Sequence, residues 1–233
     1  MRQLALGVRL RSDAVFANFS VGANLEVLSA LRGESRDPLW LWGSSGSGKT
    51  HLLQAVCAAA GDLQAPETAA YFPLDRSLAL PAAAMAGFER CRVLCVDDVE
   101  AVAGDVVWEQ ALFRMFNEAA ELQSRVIFAS RAAPRQIIWR LEDWRSRAAA
   151  CVVYQVRELD ERGRGEALKL RAAQRGLQLP EETVDYLLKR MPRDLRSLFE
   201  ILDRLDEASL AAQRRLTVPF IRAALETHAG KKP

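Results

Sequence analysis

The chain has 233 residues, 50% of them hydrophobic and 27% charged, which is enough apolar material for one or two globular domains with a real core. Thirty-two basic residues against 30 acidic ones leave a net charge of only +2, which excludes a polycation built to neutralise a nucleic-acid backbone. No run approaches the ~18 apolar residues of a membrane span, and the opening MRQLALGVRLRSD has neither the apolar stretch nor the cleavage site of a secretory signal. The basic residues are nearly all arginine, a bias that a GC-rich genome produces as readily as phosphate recognition does. Cys57, Cys91, Cys95 and Cys151 lack C-x-x-C spacing and fall in apolar patterns, so buried free thiols in a reducing, cytoplasmic setting are expected.

Residues 1–12 alternate apolar and basic residues without a firm pattern and read as a flexible arm. Phe16, Phe19 and Gly22 punctuate the next stretch, a helix is expected over 25–32, and 33–38 is a turn-rich connection. The apolar run Leu39-Trp40-Leu41-Trp42 then leads into Gly43-Ser44-Ser45-Gly46-Ser47-Gly48-Lys49-Thr50, and a helical pattern follows to about residue 60. Strand, glycine-rich loop and helix in that order are the context in which G-x-x-x-x-G-K-T binds phosphate. The glycines let backbone N–H groups turn inward as an anion nest, and the helix N-terminus adds its positive end. Lys49 would reach the outer phosphates and the Thr50 hydroxyl would ligate Mg²⁺.

Four more apolar runs follow, at 71–74, 93–96, 126–129 and 152–156, each separated from the next by a helix-length segment. That alternation predicts an α/β fold with a five-stranded parallel sheet flanked by helices. Between the runs at 93–96 and 126–129, Trp108, Ala111, Leu112, Met115 and Phe116 recur at helical spacing, with Glu109, Arg114 and Glu118 expected off that apolar face. This aromatic stripe reads as core packing, not as a base-stacking platform.

The run Val93-Leu94-Cys95-Val96 ends in Asp97-Asp98, so acids stand at the ligand edge of the sheet. Asp97 would hold the metal or its water, and Asp98 could position an attacking water. A solvated turn or a helix cap would give the same pair, but a P-loop upstream favours the functional reading. Another strand runs into Ser130, a candidate phosphate sensor, and Arg147 stands just before the fifth strand as either a surface charge or an arginine finger. From 160 onward the strand pattern stops. Helices are expected at 166–175, 181–190, 193–208 and 218–226, with Pro180 and Pro192 at first helical positions and a hinge where Arg162-Gly163-Arg164-Gly165 breaks the pattern. Arg196 lies early in the third of these helices, and 229–233 read as a disordered tail.

A P-loop, an acidic strand end, a polar strand end, an arginine before the fifth strand and an arginine in a trailing helical lid together resemble an AAA+ module. Within it, Phe16-Ala17-Asn18-Phe19-Ser20-Val21-Gly22 ahead of the P-loop, Gly48-Lys49-Thr50-His51-Leu52-Leu53, Asp97-Asp98-Val99-Glu100 and Arg175-Gly176-Leu177-Gln178-Leu179-Pro180 resemble the DnaA-related family. The resemblance covers residues 13–226. Gly104-Asp105-Val106-Val107-Trp108-Glu109 and the run from Arg193 to Asp206 point to the branch of regulatory inactivators, single modules without DnaA's amino-terminal and DNA-binding domains.

That resemblance implies a clamp-binding arm at 1–12, a nucleotide-binding subdomain at 13–157 and an all-α lid at 158–228. It implies ADP or ATP with Mg²⁺ at Thr50 and Asp97, adenine near Phe16, Phe19 and Val21, and His51 among the nucleotide-binding residues. Arg196 would face the phosphates from the lid, and Arg147 would be offered in trans to ATP held by DnaA. Gln3, Leu4 and Leu6 resemble the peptide that docks on the β subunit of the DNA sliding clamp. Partners implied are therefore DnaA, the clamp and, through the same finger, a second copy of the chain, with neither sequence-specific DNA nor membrane among them. Arg131 stands where DnaA has an acid and Ala148 where the family has a bulky residue. The first departure argues for at most weak ATP hydrolysis by the chain itself. Rival readings are a DnaA-like helicase loader and an autonomous P-loop ATPase.

Overall fold

The computed structural model describes residues 14–61, 68–75, 80–192, 194–212 and 216–229. They form two compact units, the first comprising residues 14–19 with Ala23–Glu158, the second Ser20–Gly22 with the residues from Leu159 on. No described helix is long and apolar enough to cross a membrane.

The first unit runs through α1 (Leu25–Arg32), β1 (Leu39–Trp42), α2 (Lys49–Ala59), β2 (Ala69–Pro73), β3 (Val93–Asp97), α3 (Val106–Glu121), β4 (Arg125–Ser130), α4 (Glu142–Ala150) and β5 (Val152–Gln155). All strands are parallel, in the order β2-β3-β4-β1-β5. Every residue of β3 is buried, as are all but the first of β4, because both faces of a parallel sheet are covered by its own crossover helices. The edge strand β5 leaves Val152 and Val153 each 41% exposed. The chain leaving β1 crosses over β4 and β3 to reach β2, and this change of direction opens a crevice above the carboxyl ends of the strands, where ligands of such sheets sit.

Aromatic packing anchors that sheet. Trp40 lies 5.2 Å from Phe128, 6.3 Å from Trp139 and 6.3 Å from Trp144, ring centre to ring centre, and Phe116 of α3 stacks on Phe128. Each such side chain removes on the order of 200 Å² from water, about 5 kcal/mol of burial before entropy is subtracted. The stripe on α3 is thus core, as its periodicity predicts. None of the four cysteines is joined in a disulfide, and all four are buried. Burial pushes the Cys151 thiol up to about 12 and Cys95 well above the ordinary thiol range, so both are held protonated.

Between β2 and β3 the helix-length segment holds, among the described residues, two 3-10 turns, Ala82–Met85 and Phe88–Arg90. Pro81 precedes the first, and Gly87 with φ of 99° separates them, so neither turn can extend into the other.

The second unit is helical: α5 (Glu161–Gln174), α6 (Glu181–Arg190), α7 (Leu195–Ala212) and α8 (Val218–Ala229). Leu168, Ala172, Leu187, Leu198, Leu202, Leu205, Leu216 and Ile221 form its core. The Arg162-Gly163-Arg164-Gly165 stretch is not a break but the first turns of α5. Asp160 caps them by accepting from Gly163 N at 2.7 Å, and both glycines are buried where a larger residue would crowd its neighbours. Pro180 caps α6 from outside rather than starting it, and α7 begins past Pro192 at Leu195, where Asp194 accepts from Ser197 N at 2.8 Å. Across α5 and α7, Arg171 makes a forked pair with Asp203 at 3.0–3.2 Å, and its guanidinium lies 4.7 Å over the Phe199 ring.

Candidate functional site

The P-loop begins where β1 ends. Gly43 N donates to Ser130 O of β4 at 3.2 Å, which locks the loop to the neighbouring strand. A Cβ at Gly43 would stand 2.3 Å from Val156 O, so the close approach of the segment after β5 demands glycine here. Gly48, with φ of 101°, turns the chain into α2, and the edge of Phe19 lies 2.8 Å from where its Cβ would be. Lys49 folds back to donate to Gly43 O at 2.7 Å and Ser44 O at 2.8 Å, closing the loop around its own ammonium. Burial lowers the Lys49 pKa, against the pull of Asp97, Glu100 and Asp98. Among the described residues the buried Ser47 hydroxyl has no hydrogen-bond partner, an orphaned donor inside the phosphate cradle. Ser44, Ser45 and Gly46 are exposed at the loop's tip, and Ser44 also donates to the Glu158 carboxylate.

Opposite the loop, Asp97 ends β3 almost fully buried. Its Oδ2 accepts from Thr50 Oγ1 at 2.6 Å and Tyr71 OH at 2.8 Å, and its Oδ1 accepts from Asp98 N at 3.0 Å. The sequence pairing of Thr50 with Asp97 is therefore a direct contact. Tyr71 is a partner that sequence reasoning passes over as a strand residue; the available signal is a polar aromatic one strand away from the acid. Burial, reinforced by Asp97, raises the Tyr71 pKa and keeps the phenol a donor.

Asp98 adopts a left-handed conformation with φ of 53° that starts a 3-10 turn, Val99–Val102. Its carboxyl is pushed up to about 6, chiefly by burial and then by Asp97 and Glu100. Glu100 reaches across to β4's end, where Oε1 accepts from Arg131 N at 3.0 Å and pairs with Arg131 Nε at 3.6 Å. Arg131 thus stands beside the acids, where it favours ionisation of Asp98.

Ser130 is wholly buried and its hydroxyl is engaged at both ends, accepting from Trp40 Nε1 at 2.7 Å and donating to Ala132 O at 2.6 Å. In this arrangement it secures the aromatic core and presents no spare hydroxyl to a phosphate. Phe19 and His51 bring their rings to 5.8 Å, and His51 Nε2 lies 3.0 Å from Val15 O. Phe16 lies in a 3-10 turn, Phe16–Asn18, with the Arg32 guanidinium 5.3 Å over its ring. Val21 falls in the strip Ser20–Gly22 that belongs to the second unit. The backbone of Arg196 lies in the first turn of α7. Gln3, Leu4 and Leu6 lie outside the described residues.

Arg147 occupies the last turn of α4, is exposed, and among the described residues its guanidinium has no hydrogen-bond or ionic partner. Ala148 beside it is fully buried with Trp144, in the aromatic cluster around Trp40. Trp144 and Ala148 together hold the inner face of α4 against that cluster.

Residues 13–154 match the sequence model of the bacterial DnaA ATPase domain, and residues 160–225 match that of the Hda lid domain. Domain III of the Thermotoga maritima replication initiation protein DnaA has a TM-score of 0.79 at 22% identity, over 94% of this chain and 98% of that one. AMPPCP-bound DnaA from Aquifex aeolicus gives 0.70 at 24% identity, over 84% of this chain and 65% of that one. The Thermotoga maritima RuvB Holliday junction branch migration motor gives 0.62 at 17% identity, over 87% of this chain and 65% of that one. At these identities the structural likeness shows the fold, an AAA+ module. The DnaA ATPase match spans more than half of the sequence: this chain belongs to the bacterial DnaA ATPase-domain family of AAA+ proteins, with a lid of the Hda kind.

Proposed function

We propose that the chain is a sliding-clamp-associated AAA+ regulator that stimulates hydrolysis of ATP held by DnaA and so restrains re-initiation of replication. Arg147 is the finger offered in trans. The observation that carries this reading is the exposed Arg147, without a side-chain partner among the described residues, on a helix fixed by buried Trp144 and Ala148. An arginine finger contributes about 10³–10⁵ in rate by neutralising charge on the transferring phosphoryl group. The match to the Hda lid supports the same branch of the family.

The chain's own site, within residues 13–157, holds ADP or ATP, and residues 158–228 serve it as a lid. AMPPCP in the Aquifex aeolicus DnaA structure supports an adenine nucleotide. The orphaned Ser47 hydroxyl, the inward Lys49 ammonium and the glycine-lined approach at Gly43 and Gly48 fit phosphates. Thr50 and Asp97 would hold Mg²⁺, which neutralises phosphate charge when bound. Phe16, Phe19, Val21 and His51 form the adenine side, and Arg196 serves from the lid. With Arg131 among the acids, this nucleotide acts as a switch more than as fuel. Gln3, Leu4 and Leu6 tether the protein to the clamp in the cytoplasm.

Phosphate release from DnaA–ATP, with clamp loaded on DNA, tests the reading. Stimulation that depends on clamp and on the chain is expected. Stimulation absent from DnaA, with co-purification of a replicative helicase instead, would favour a helicase loader.

A further inference from the structure

The word Gly104-Asp105-Val106-Val107-Trp108-Glu109 supplies none of the residues assigned above to nucleotide, and its last residue is completely buried. We propose that Glu109 is the positioning residue for the helix that carries Arg147, an inference that rests on the finger reading above.

Glu109 lies in the first turn of α3, where the sequence periodicity places it on the polar face; the structure turns it inward. Its Oε1 accepts from Gly104 N at 2.7 Å and Arg140 N at 3.2 Å. Its Oε2 accepts from Arg140 N at 2.9 Å and Leu141 N at 2.6 Å. Among the described residues this carboxyl has no lysine or arginine partner, so three backbone N–H groups are what satisfies a buried acid.

Leu141 is the residue from which α4 starts, and its apolar side chain cannot cap the helix it opens. Asp105 and Asp160 cap α3 and α5 from within the local sequence. For α4 the fixing carboxylate comes from a different helix, 32 residues earlier. The helix is thereby held at its start by Glu109 and along its inner face by Trp144 and Ala148. Arg147 projects from the turn that follows.

The other end of the clamp matters as well. Gly104 follows the short turn Val99–Val102, which Asp98 opens at the acidic strand end. One carboxylate therefore joins the segment behind the acidic end of β3 to the N-cap residue of the finger helix. A shift of the finger by about 1 Å would cost up to about a hundredfold in rate.

Glu109→Gln tests this with no change of size. A glutamine offers one acceptor oxygen and turns N–H donors toward the three amides. In full-length protein, amide exchange at residues 140–147 is expected to accelerate at least about tenfold while α2 is unchanged. The maximal rate of DnaA–ATP hydrolysis should fall at least about tenfold, with half-stimulating concentration and nucleotide affinity within about twofold. Combined with Arg147→Ala, Glu109→Gln should cost nothing further. Leu141→Pro, which removes one donor at a backbone φ of -86° that proline accepts, provides a second variant with a smaller effect in the same direction should Glu109→Gln not fold.

Unchanged exchange at 140–147, full activity of Glu109→Gln where Arg147→Ala is impaired, or a loss that adds to that of Arg147→Ala would each overturn the assignment. Full activity of Arg147→Ala alone would instead remove the finger reading, and with it this role for Glu109. The two failures are read from different variants.

Discussion

Thr50 Oγ1 donates to Asp97 Oδ2 at 2.6 Å, so the start of the P-loop helix and the end of β3 are joined by a single short hydrogen bond. A divalent ion bound between these residues would take over the hydroxyl and the carboxylate together. Thr50→Val keeps the shape and removes the hydroxyl. ADP affinity in Mg²⁺ is expected to fall about tenfold, the equivalent of one charge-assisted hydrogen bond of about 1.5 kcal/mol. In excess chelator, titration calorimetry should find native and variant alike; an equal loss without metal would assign Thr50 to phosphate rather than to Mg²⁺.

Asp98 contributes a pH dependence whose sign follows from its raised pKa. The folded carboxyl titrates at about 6, against an ordinary value of 3.8, so the folded state binds more protons between these values. Stability is therefore lost as pH rises through that window. Asp98→Asn tolerates the left-handed backbone and should stabilise the protein at pH 7.5 by about 1 kcal/mol, the solvent-discounted part of the shift, with little effect at pH 4. Denaturant titrations at the two pH values check this. Equal effects at both would show that charge is not the cause.

Ser130 is expected to act on stability. Ser130→Ala leaves the buried Trp40 indole N–H without its acceptor, a loss of about 1–3 kcal/mol in chemical denaturation. Nucleotide affinity should move by less than about twofold. A large drop in affinity with unchanged stability would restore Ser130 to the sensing role that its strand-end position suggests.

The parts of this molecule that are legible in sequence are those written in local patterns. Apolar runs locate all five strands to within a residue or two, and the helical stripe of α3 is visible because Leu112 and Met115 repeat at the right spacing. Thr50 and Asp97 can be paired because motif chemistry assigns both to one ion. Other features depend on distant partners and leave no periodic trace. Glu109 reads as a solvent-facing acid because nothing nearby in sequence announces the amides of Arg140 and Leu141. Gly163 and Gly165 read as helix breakers because propensity is local, whereas their burial under neighbouring side chains is a tertiary fact. Ser130 reads as an open strand end, and only the fold brings Trp40 from the adjacent strand to its hydroxyl.

In the helical unit, Asp203 holds a nearly buried Arg171 and also meets Arg175 at 3.0 Å. Asp203→Asn should destabilise that unit by about 1–3 kcal/mol, since Arg171 keeps its burial and loses its countercharge. Exchange of amides in α5 and α7 is the measurement, and unchanged protection would show that packing on Phe199 suffices.

The central claim is that chemistry takes place at the partner's nucleotide and that Arg147 supplies the charge. Single-turnover hydrolysis of DnaA-bound ATP, with clamp loaded on DNA, tests it with native protein, Arg147→Ala and Arg147→Lys. Arg147→Ala should lose about 10³-fold of the stimulated rate or more, and Arg147→Lys should recover little, because a point charge does not replace the planar fork. Nucleotide binding by both variants should remain native. Stimulation by Arg147→Ala equal to that of the native protein would contradict the account.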